Sequence, residues 1–155
     1  MRFASDPATI LLVDDDQILL QVLSRVLTRA GYIVLRAASV AEALQQAESA
    51  PELVLLDLCL PDGSGLDLAV ALHAREPGLP LILMTAYPLQ LQDRPELMEH
   101  FKQVLIKPPD LQDIRRRVAA ALEREAPPVE ARRQRSPMFP ASLTEGPTIL
   151  ARRVP

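Results

Sequence analysis

The chain has 155 residues and a formal net charge of −3, and 48% of its residues are apolar although none is Trp. This length fits one domain of ordinary size, which can bury an apolar core without disulfides. The single cysteine, Cys59, excludes an intramolecular disulfide and fits a reducing compartment. No signal peptide is visible and no apolar run is long enough to span a bilayer, so the sequence predicts a soluble cytoplasmic protein without membrane insertion.

Charge is distributed unevenly along the chain. Residues 126–155 contain five Arg and two Glu, so the preceding part is more acidic than the chain as a whole. An acidic domain repels the phosphate backbone of nucleic acids. Direct nucleic-acid binding by residues 1–125 is therefore not expected.

Five short apolar runs have the character of β-strands. They cover residues 9–13, 33–36, 53–56, 80–84 and 103–106. The first, third and fourth runs are apolar without alternation, which is typical of strands buried on both faces of a parallel sheet.

Helical patterns separate these strands. The predicted helices cover residues 17–30, from 40 onward, from 64 or 65 to about 75, 95–101, and from 111 onward. Ser39 and Glu42 form a capping box at the start of the second helix, and Asp110 has the position of a cap before the fifth.

The order of these elements predicts a doubly wound α/β fold. Five strands alternating with helices favour a parallel sheet with helices on both faces. From residue 126 the periodic pattern stops, and six Pro occur in thirty residues. Residues 1–125 are therefore predicted to form the domain, and residues 126–155 a disordered tail or linker.

Polar side chains follow four of the five predicted strands. Three consecutive aspartates, residues 14–16, follow the first strand, and Asp57, Thr85 and Lys107 follow the third, fourth and fifth. Singly, each has an ordinary explanation as a helix cap or a solvated loop residue. Because the carboxyl ends of parallel strands share one edge of the sheet, together they predict a common site.

The charges at this edge indicate a divalent cation. Asp14, Asp15 and Asp57 bring three negative charges, and Lys107 returns one. This excess is costly at a separation of a few ångströms unless a cation intervenes. Oxygen ligands with open positions suit Mg²⁺ bound together with a phosphate group, so Mg²⁺ is the predicted cofactor.

Four motifs carry a resemblance to a known family. The stretches "ILLVDDD", "LVLLDLCLPDGSGLDL", "LILMTA" and "VLIKPPDL" resemble, in order and spacing, the receiver domain of two-component response regulators. Each motif alone is weak, whereas the four in this order are highly specific. The resemblance covers roughly residues 8–124 and implies a flavodoxin-like five-stranded sheet with strand order 2-1-3-4-5.

The resemblance implies a phosphoacceptor and a metal site. Asp57 matches the phosphoacceptor, whose carboxylate attacks a phosphoryl group carried on a partner histidine. Asp14 and Asp15 match the acidic pair that holds Mg²⁺ together with Asp57 and the backbone carbonyl of Cys59.

The resemblance also implies residues that bind the transferred phosphoryl group. Thr85 matches a hydroxyl that turns toward the phosphoryl oxygens, and Lys107 matches a lysine that pairs with them. Ala86 is small, as the family requires beside this site, and Pro108 has the position of a proline that commonly follows a cis bond. Asp16 is assigned to the cap of the first helix.

The sequence departs from the family at the switch aromatic, three residues before the lysine. Val104 stands at this position, and Tyr87 is the nearest aromatic to Thr85 in sequence. Phosphorylation is therefore expected to change the fourth helix by another route, or scarcely at all.

The leading interpretation is a stand-alone receiver that signals by protein contact. Its phosphoryl donor would be a sensor histidine kinase or a histidine phosphotransfer protein, and its downstream protein is not identified by the sequence. Many members of the family dimerise through the fourth and fifth helices, so the resemblance makes such a homodimer possible here. Beyond self-catalysed phosphoryl transfer and slow autodephosphorylation, no enzyme activity is expected.

Two alternatives stay open at this point. Val104 favours an interaction module that works without phosphorylation, whereas a fragment would use the tail as a linker to an output domain. A flavin-binding protein of the same topology is excluded, because the aspartates at residues 14–16 would repel its phosphate. His73 and His100 are predicted on helices away from the cleft and supply no acid–base pair.

Overall fold

The fold is described by a computed structural model, which covers residues 6–87 and 93–122. In chain order the elements are β1 Thr9–Val13, α1 Gln17–Arg29, β2 Ile33–Ala37, α2 Val40–Gln46, a 3₁₀ turn Ala47–Ser49, β3 Leu53–Asp57, β4 Cys59–Leu60, β5 Gly63–Ser64, α3 Gly65–Arg75, β6 Leu81–Thr85, α4 Pro95–Met98, β7 Gln103–Ile106 and α5 Leu111–Ala121. The predicted tail at 126–155 lies outside the described residues.

Five of the strands form one parallel sheet. Its order is β2-β1-β3-β6-β7, and each neighbouring pair runs parallel. When the short β4 and β5 are left out, this is the predicted order 2-1-3-4-5. The prediction of a doubly wound, flavodoxin-like α/β fold is confirmed.

The core consists of two aliphatic layers, one on each face of the sheet. Leu11 and Val13 of β1 belong to the layer that includes α3, whereas Ile10 and Leu12 belong to the layer that includes α1 and α5. All five residues of β1 are buried. The strand therefore lacks a solvent-facing side, which explains its apolar sequence without alternation.

Aspartate side chains start the first and last helices, as predicted. Oδ1 of Asp16 accepts hydrogen bonds from the amides of Ile18 and Leu19, at 3.0 and 3.1 Å. Oδ1 of Asp110 accepts bonds from the second and third amides of α5, at 2.8 and 3.0 Å. Each cap satisfies amides that have no partner within the helix.

One local prediction was wrong. Helix α4 ends at Met98 and not at residue 101, because Phe101 turns into the core, where it is 5% exposed. The segment after β3 also contains an antiparallel hairpin that the sequence analysis did not predict, in which Cys59 pairs with Ser64.

Within residues 6–87 and 93–122, no helix is long and apolar enough to cross a membrane.

Candidate functional site

The carboxyl edge of the sheet brings the predicted site residues together. Asp57 and Thr85 are the last residues of β3 and β6, while Asp14 directly follows β1 and Lys107 directly follows β7. The amide of Lys107 donates to the carbonyl of Thr85 at 2.9 Å, which fixes the end of β7 against β6. Parallel pairing therefore gathers residues that are up to 93 positions apart in the chain.

Three carboxylates converge at this edge. Asp14, Asp15 and Asp57 each offer an oxygen, and these oxygens all lie within 4.8 Å of one another. Asp14 is buried, the side chain of Asp57 is 13% exposed, and Asp15 is exposed. The cluster therefore opens to solvent on the side of Asp15.

Lys107 supplies the positive charge within this cluster. Its Nζ lies 2.5 Å from Oδ2 of Asp14 and 2.9 Å from Oδ2 of Asp57, and its side chain is 17% exposed. Burial by itself lowers the pKa of Lys107, but the bonds to Asp14 and Asp57 outweigh burial and hold this pKa above its ordinary value of 10.5. The ammonium is therefore protonated at neutral pH and bridges the two carboxylates.

Asp14 is the most constrained of the three carboxylates. Burial raises its pKa above 3.8, and this effect is only partly offset by Lys107 and by the Asp16 amide, which donates to Oδ1 at 2.9 Å. Within the described residues, Oδ2 is buried and accepts no hydrogen bond of good geometry, although it contacts the Lys107 ammonium. A desolvated oxygen with unused acceptor capacity is suited to a metal ion.

The donor set fits Mg²⁺. Three carboxylates supply the hard oxygen ligands that this ion prefers, and the exposed side leaves room for water or phosphate. Cys59 lies in β4, and its amide donates a long hydrogen bond of 3.4 Å to Oδ1 of Asp57. The use of the Cys59 carbonyl as a further ligand stays a prediction.

Thr85 brings a buried hydroxyl to the same edge. Its Oγ1 accepts a hydrogen bond from the amide of Tyr87 at 3.0 Å, which leaves the hydroxyl proton free to donate. Ala86 is exposed next to it and adds no bulk at the opening. The peptide bond between Lys107 and Pro108 is cis, as the resemblance implied.

Val104, at the position of the missing aromatic, lies on β7 at the edge of the sheet. It pairs with Leu83 in β6 and packs, partly buried, against the core layer that includes α3. Tyr87 is 63% exposed. An aliphatic core residue therefore occupies the place from which an aromatic ring would move toward Thr85.

Gly65 is a site residue that the sequence analysis missed. A Cβ built on it would lie 2.0 Å from the carbonyl oxygen of Asp57, and its own amide donates to the Leu58 carbonyl at 2.7 Å. Helix α3 therefore begins in contact with the backbone of the predicted phosphoacceptor. The second Gly in "PDGSGLDL" was the available signal, but it had been considered only as a possible start of the third helix and not as a contact of Asp57.

Asp62 is a second residue whose role was missed. Its carboxylate accepts hydrogen bonds from the amides of Val40 and Ala41, at 2.7 and 3.0 Å, and so caps α2 from the β4–β5 hairpin. The partners are 21 and 22 residues away in sequence, so no local pattern could have indicated the contact.

Comparisons with known proteins agree with this architecture. A family model described as the response regulator receiver domain matches residues 10–119. The protein named probable transcriptional regulatory protein TcrX, from Mycobacterium tuberculosis, is 38% identical over 86 residues, which make up 55% of this chain and 37% of TcrX. Transcriptional regulatory protein GlrR of Escherichia coli is 34% identical over 127 residues, or 81% of this chain and 29% of GlrR.

A solved structure has the same fold. The CheY-like response regulator receiver domain protein from Methanospirillum hungatei superimposes with a TM-score of 0.70 at 30% identity, covering 76% of this chain and 94% of that one. By contrast, the chain spans little more than a third of TcrX and less than a third of GlrR. Because the family model covers most of the chain and the sheet has the matching order, the chain belongs to the response regulator receiver domain family of two-component systems.

Proposed function

We propose that Asp57 accepts a phosphoryl group from a phosphohistidine on a sensor histidine kinase or a histidine phosphotransfer protein. The observation that carries this proposal is the cluster in which one ammonium, on Lys107, contacts both Asp14 and Asp57. Membership of the receiver family supports it, because a two-component receiver acts together with a histidine kinase.

The proposed step is a displacement at phosphorus. A carboxylate oxygen of Asp57 forms the new P–O bond while the P–N bond to the partner imidazole breaks. The electron pair of the P–N bond stays on that nitrogen, and the ring leaves as neutral imidazole because its other nitrogen already carries a proton. Lys107 is positioned to bind one phosphoryl oxygen, and the free hydroxyl proton of Thr85 is available to a second. The partial exposure of Asp57 leaves it open to a donor protein.

A divalent ion completes the proposed charge balance. Asp14, Asp15 and Asp57 would hold Mg²⁺, with the Cys59 carbonyl as a further ligand. When bound, Mg²⁺ neutralises charge between the carboxylates and the incoming phosphoryl group. Lys107 alone leaves the cluster negative, so transfer is expected to fail without a divalent cation.

The output is proposed to be contact with a downstream protein in the cytoplasm. A homodimer through α4 and α5 is the arrangement that the resemblance implies. No turnover of a small substrate is proposed, apart from loss of the phosphoryl group from Asp57. TcrX and GlrR are longer proteins named as transcriptional regulators, and a transcriptional output is proposed only for a protein in which further domains accompany this one.

A second candidate function is a module that binds its partner without phosphorylation. Val104 favours this candidate, because its side chain packs as an ordinary core residue and its carbonyl accepts a hydrogen bond from Arg117 at 3.4 Å. With valine at this position there is no aromatic ring that could move in response to phosphorylation of Asp57.

Intact mass spectrometry distinguishes the two functions. The chain is incubated with acetyl phosphate and Mg²⁺, beside Asp57→Asn and a matched control, Asp67→Asn, which changes an exposed aspartate on α3. One phosphoryl adduct on the wild type and on Asp67→Asn, absent from Asp57→Asn and absent with EDTA, is expected. No adduct on the wild type, even with a competent histidine kinase, would leave the phosphorylation-independent module.

A further inference from the structure

The two histidines of the chain meet each other away from the carboxyl edge. His73 lies on α3 and His100 follows α4, and both are half-buried. Their Nδ1 atoms are 3.0 Å apart, and the ring centroids are 5.3 Å apart. The centroid distance exceeds the nitrogen distance by about one ring width, so the two nitrogens point directly at each other.

The contact between His73 and Leu79 determines which nitrogens of the two rings carry a proton. Nε2 of His73 lies 3.0 Å from the carbonyl oxygen of Leu79, which can only accept, so this nitrogen carries a proton. In neutral His73, Nδ1 is then an acceptor. The contact at 3.0 Å therefore requires Nδ1 of His100 to be the donor, and it leaves Nε2 of His100 as the unprotonated nitrogen of the pair.

The same geometry favours a proton over a metal ion between the rings. A transition metal binds imidazole nitrogen at about 2.0–2.1 Å along the lone-pair direction, so an ion between two facing rings needs nitrogens about 4 Å apart. The observed 3.0 Å is the length of a hydrogen bond. A metal would have to spread or tilt the rings, whereas a proton fits them as they stand.

We propose that His73 and His100 form a proton-sharing clamp that ties the segment between α4 and β7 to α3 and opens when both imidazoles are protonated. A first added proton goes to the outer nitrogen of His100, which makes its bond to His73 charge-assisted and stronger. A second proton, on Nδ1 of His73, removes the acceptor and sets two N–H groups against each other. The clamp is therefore strongest at the singly protonated stage.

Charged groups near the pair do not replace this contact. Those on the surrounding elements are Arg75, Glu76, Glu96, Glu99 and Lys102. The hydrogen bonds of the two imidazoles join them to each other and join His73 to the Leu79 carbonyl. Glu96 pairs with Arg94 at 3.2 Å, and the ammonium of Lys102 donates to the carbonyl of Ala121.

The position of the pair gives the clamp a structural consequence. Helix α4 has only four residues, and His100 immediately precedes the buried Phe101, whose amide bonds to the Met98 carbonyl at a long 3.4 Å. So short a helix has little stability of its own. Contacts such as the clamp therefore decide how firmly this segment is held, so protonation of both imidazoles is expected to loosen it.

Nitrogen NMR on the full chain, labelled at histidine, tests the clamp without any phosphorylation. Only two side chains contribute to the spectrum. At neutral pH we expect opposite tautomers for the two rings and a scalar coupling between their Nδ1 nuclei. On acidification the coupling is expected to persist through the first protonation and to vanish at the second. Two rings with the same tautomer and no coupling would overturn the proposal, as would stoichiometric Zn²⁺ binding that needs both histidines.

Hydrogen exchange provides the second measurement. Amide protection at Phe101 and Lys102 is expected to fall about fivefold in His73→Gln at neutral pH. Glutamine can still donate to the Leu79 carbonyl but places no acceptor at the position of Nδ1, so the variant loses one neutral hydrogen bond. In the wild type, the same fall is expected only on double protonation. Equal protection in the two proteins at every pH would overturn the proposal, even if the variant remains folded.

Discussion

Asp14 shows, at the scale of a single residue, a conflict between stability and the proposed function. The fold buries this carboxylate completely, and burial raises its pKa despite the neighbouring Lys107. The charged form is therefore less favourable in the folded state than in the unfolded chain. A carboxylate buried at this cost supports the proposed metal site, where a bound cation would offset the cost.

Replacing this carboxylate by its neutral isostere is expected to stabilise the metal-free domain. Asp14→Asn should raise Tm at pH 7 by roughly 4 °C, the equivalent of about 1 kcal/mol. The difference should disappear below pH 3.8, where Asp14 is protonated in both states, and grow as pH rises through its raised pKa. Thermal unfolding at several pH values measures this, and a lower Tm at pH 7 would mean that the bond to Lys107 outweighs burial.

Gly65 is constrained by space and not by charge. Since a Cβ would lie 2.0 Å from the Asp57 carbonyl, Gly65→Ala must displace either the start of α3 or the end of β3. We expect a loss of about 2 kcal/mol, as for other overpacked sites, and a strong reduction in phosphorylation of Asp57. Urea unfolding measures the first effect and intact mass the second.

Gly78 provides the matched control for this substitution. A Cβ at Gly78 has no neighbour within 4 Å. Gly78→Ala should therefore leave stability unchanged or slightly higher, by about 0.5 kcal/mol. Equal losses from both alanine variants would show that contact with Asp57 is not the reason for glycine at position 65.

At the scale of elements, α2 depends on a distant hairpin for part of its cap. Ser39 accepts the amide of Glu42 at 3.1 Å, as the capping box predicts, whereas Asp62 accepts the amides of Val40 and Ala41. These backbone bonds hold the pKa of Asp62 below its usual 3.8. The hairpin that follows the phosphoacceptor strand is thereby joined to α2.

The cap predicts a pH dependence with a definite sign. Because the folded-state pKa is lowered, the stabilisation is present above pH 3.8 and is lost as pH falls through the folded-state pKa. Asp62→Asn should therefore lower Tm at pH 7, and the difference from the wild type should shrink below pH 3.8. Asp67→Asn is expected to change Tm little at either pH. A constant difference would show that charge at Asp62 is not what caps α2.

Side chains also cover the open edge of the sheet. Gln103 donates to the carbonyl of Arg117 at 3.1 Å, and Arg117 in turn donates to the carbonyl of Val104 at 3.4 Å. These bonds connect the edge strand β7 to α5. The carbonyl of Val104 is thereby occupied, and an occupied carbonyl on an edge strand is less available for pairing with another chain.

At the scale of the whole molecule, two core layers join residues 6–87 and 93–122 into one unit of packing. The buried clusters draw on elements from β1 to α5, and Ile114 and Val118 of α5 complete one layer. A chain ending at residue 124 should therefore unfold with a Tm within about 4 °C of the full chain, less than the shift expected from 1 kcal/mol. A chain ending at residue 110 should not fold. Thermal melts followed by circular dichroism test both chains. A much lower Tm for the chain ending at residue 124 would contradict the prediction that residues 126–155 form a separate tail.

Prediction from sequence succeeded where a local pattern was sufficient. The aliphatic runs around Ile10 and Leu55 and the aspartate caps at Asp16 and Asp110 depend on neighbouring residues alone. The end of α4 could not be predicted in this way, because it depends on Phe101 entering the core. The β4–β5 hairpin could not be predicted from a local pattern either, because its two short strands pair within the connection between β3 and α3.

The alternation of strands and helices was predictable from the amino-acid sequence, and with it the edge at which Asp14, Asp57, Thr85 and Lys107 meet. These features follow from periodicity and from the handedness of parallel crossovers. The contacts between residues that are distant in the chain emerge in the folded protein alone, namely Gly65 beneath Asp57 and the head-on pair of His73 with His100. Such contacts depend on distances of a few tenths of an ångström between separate elements, which no local pattern records.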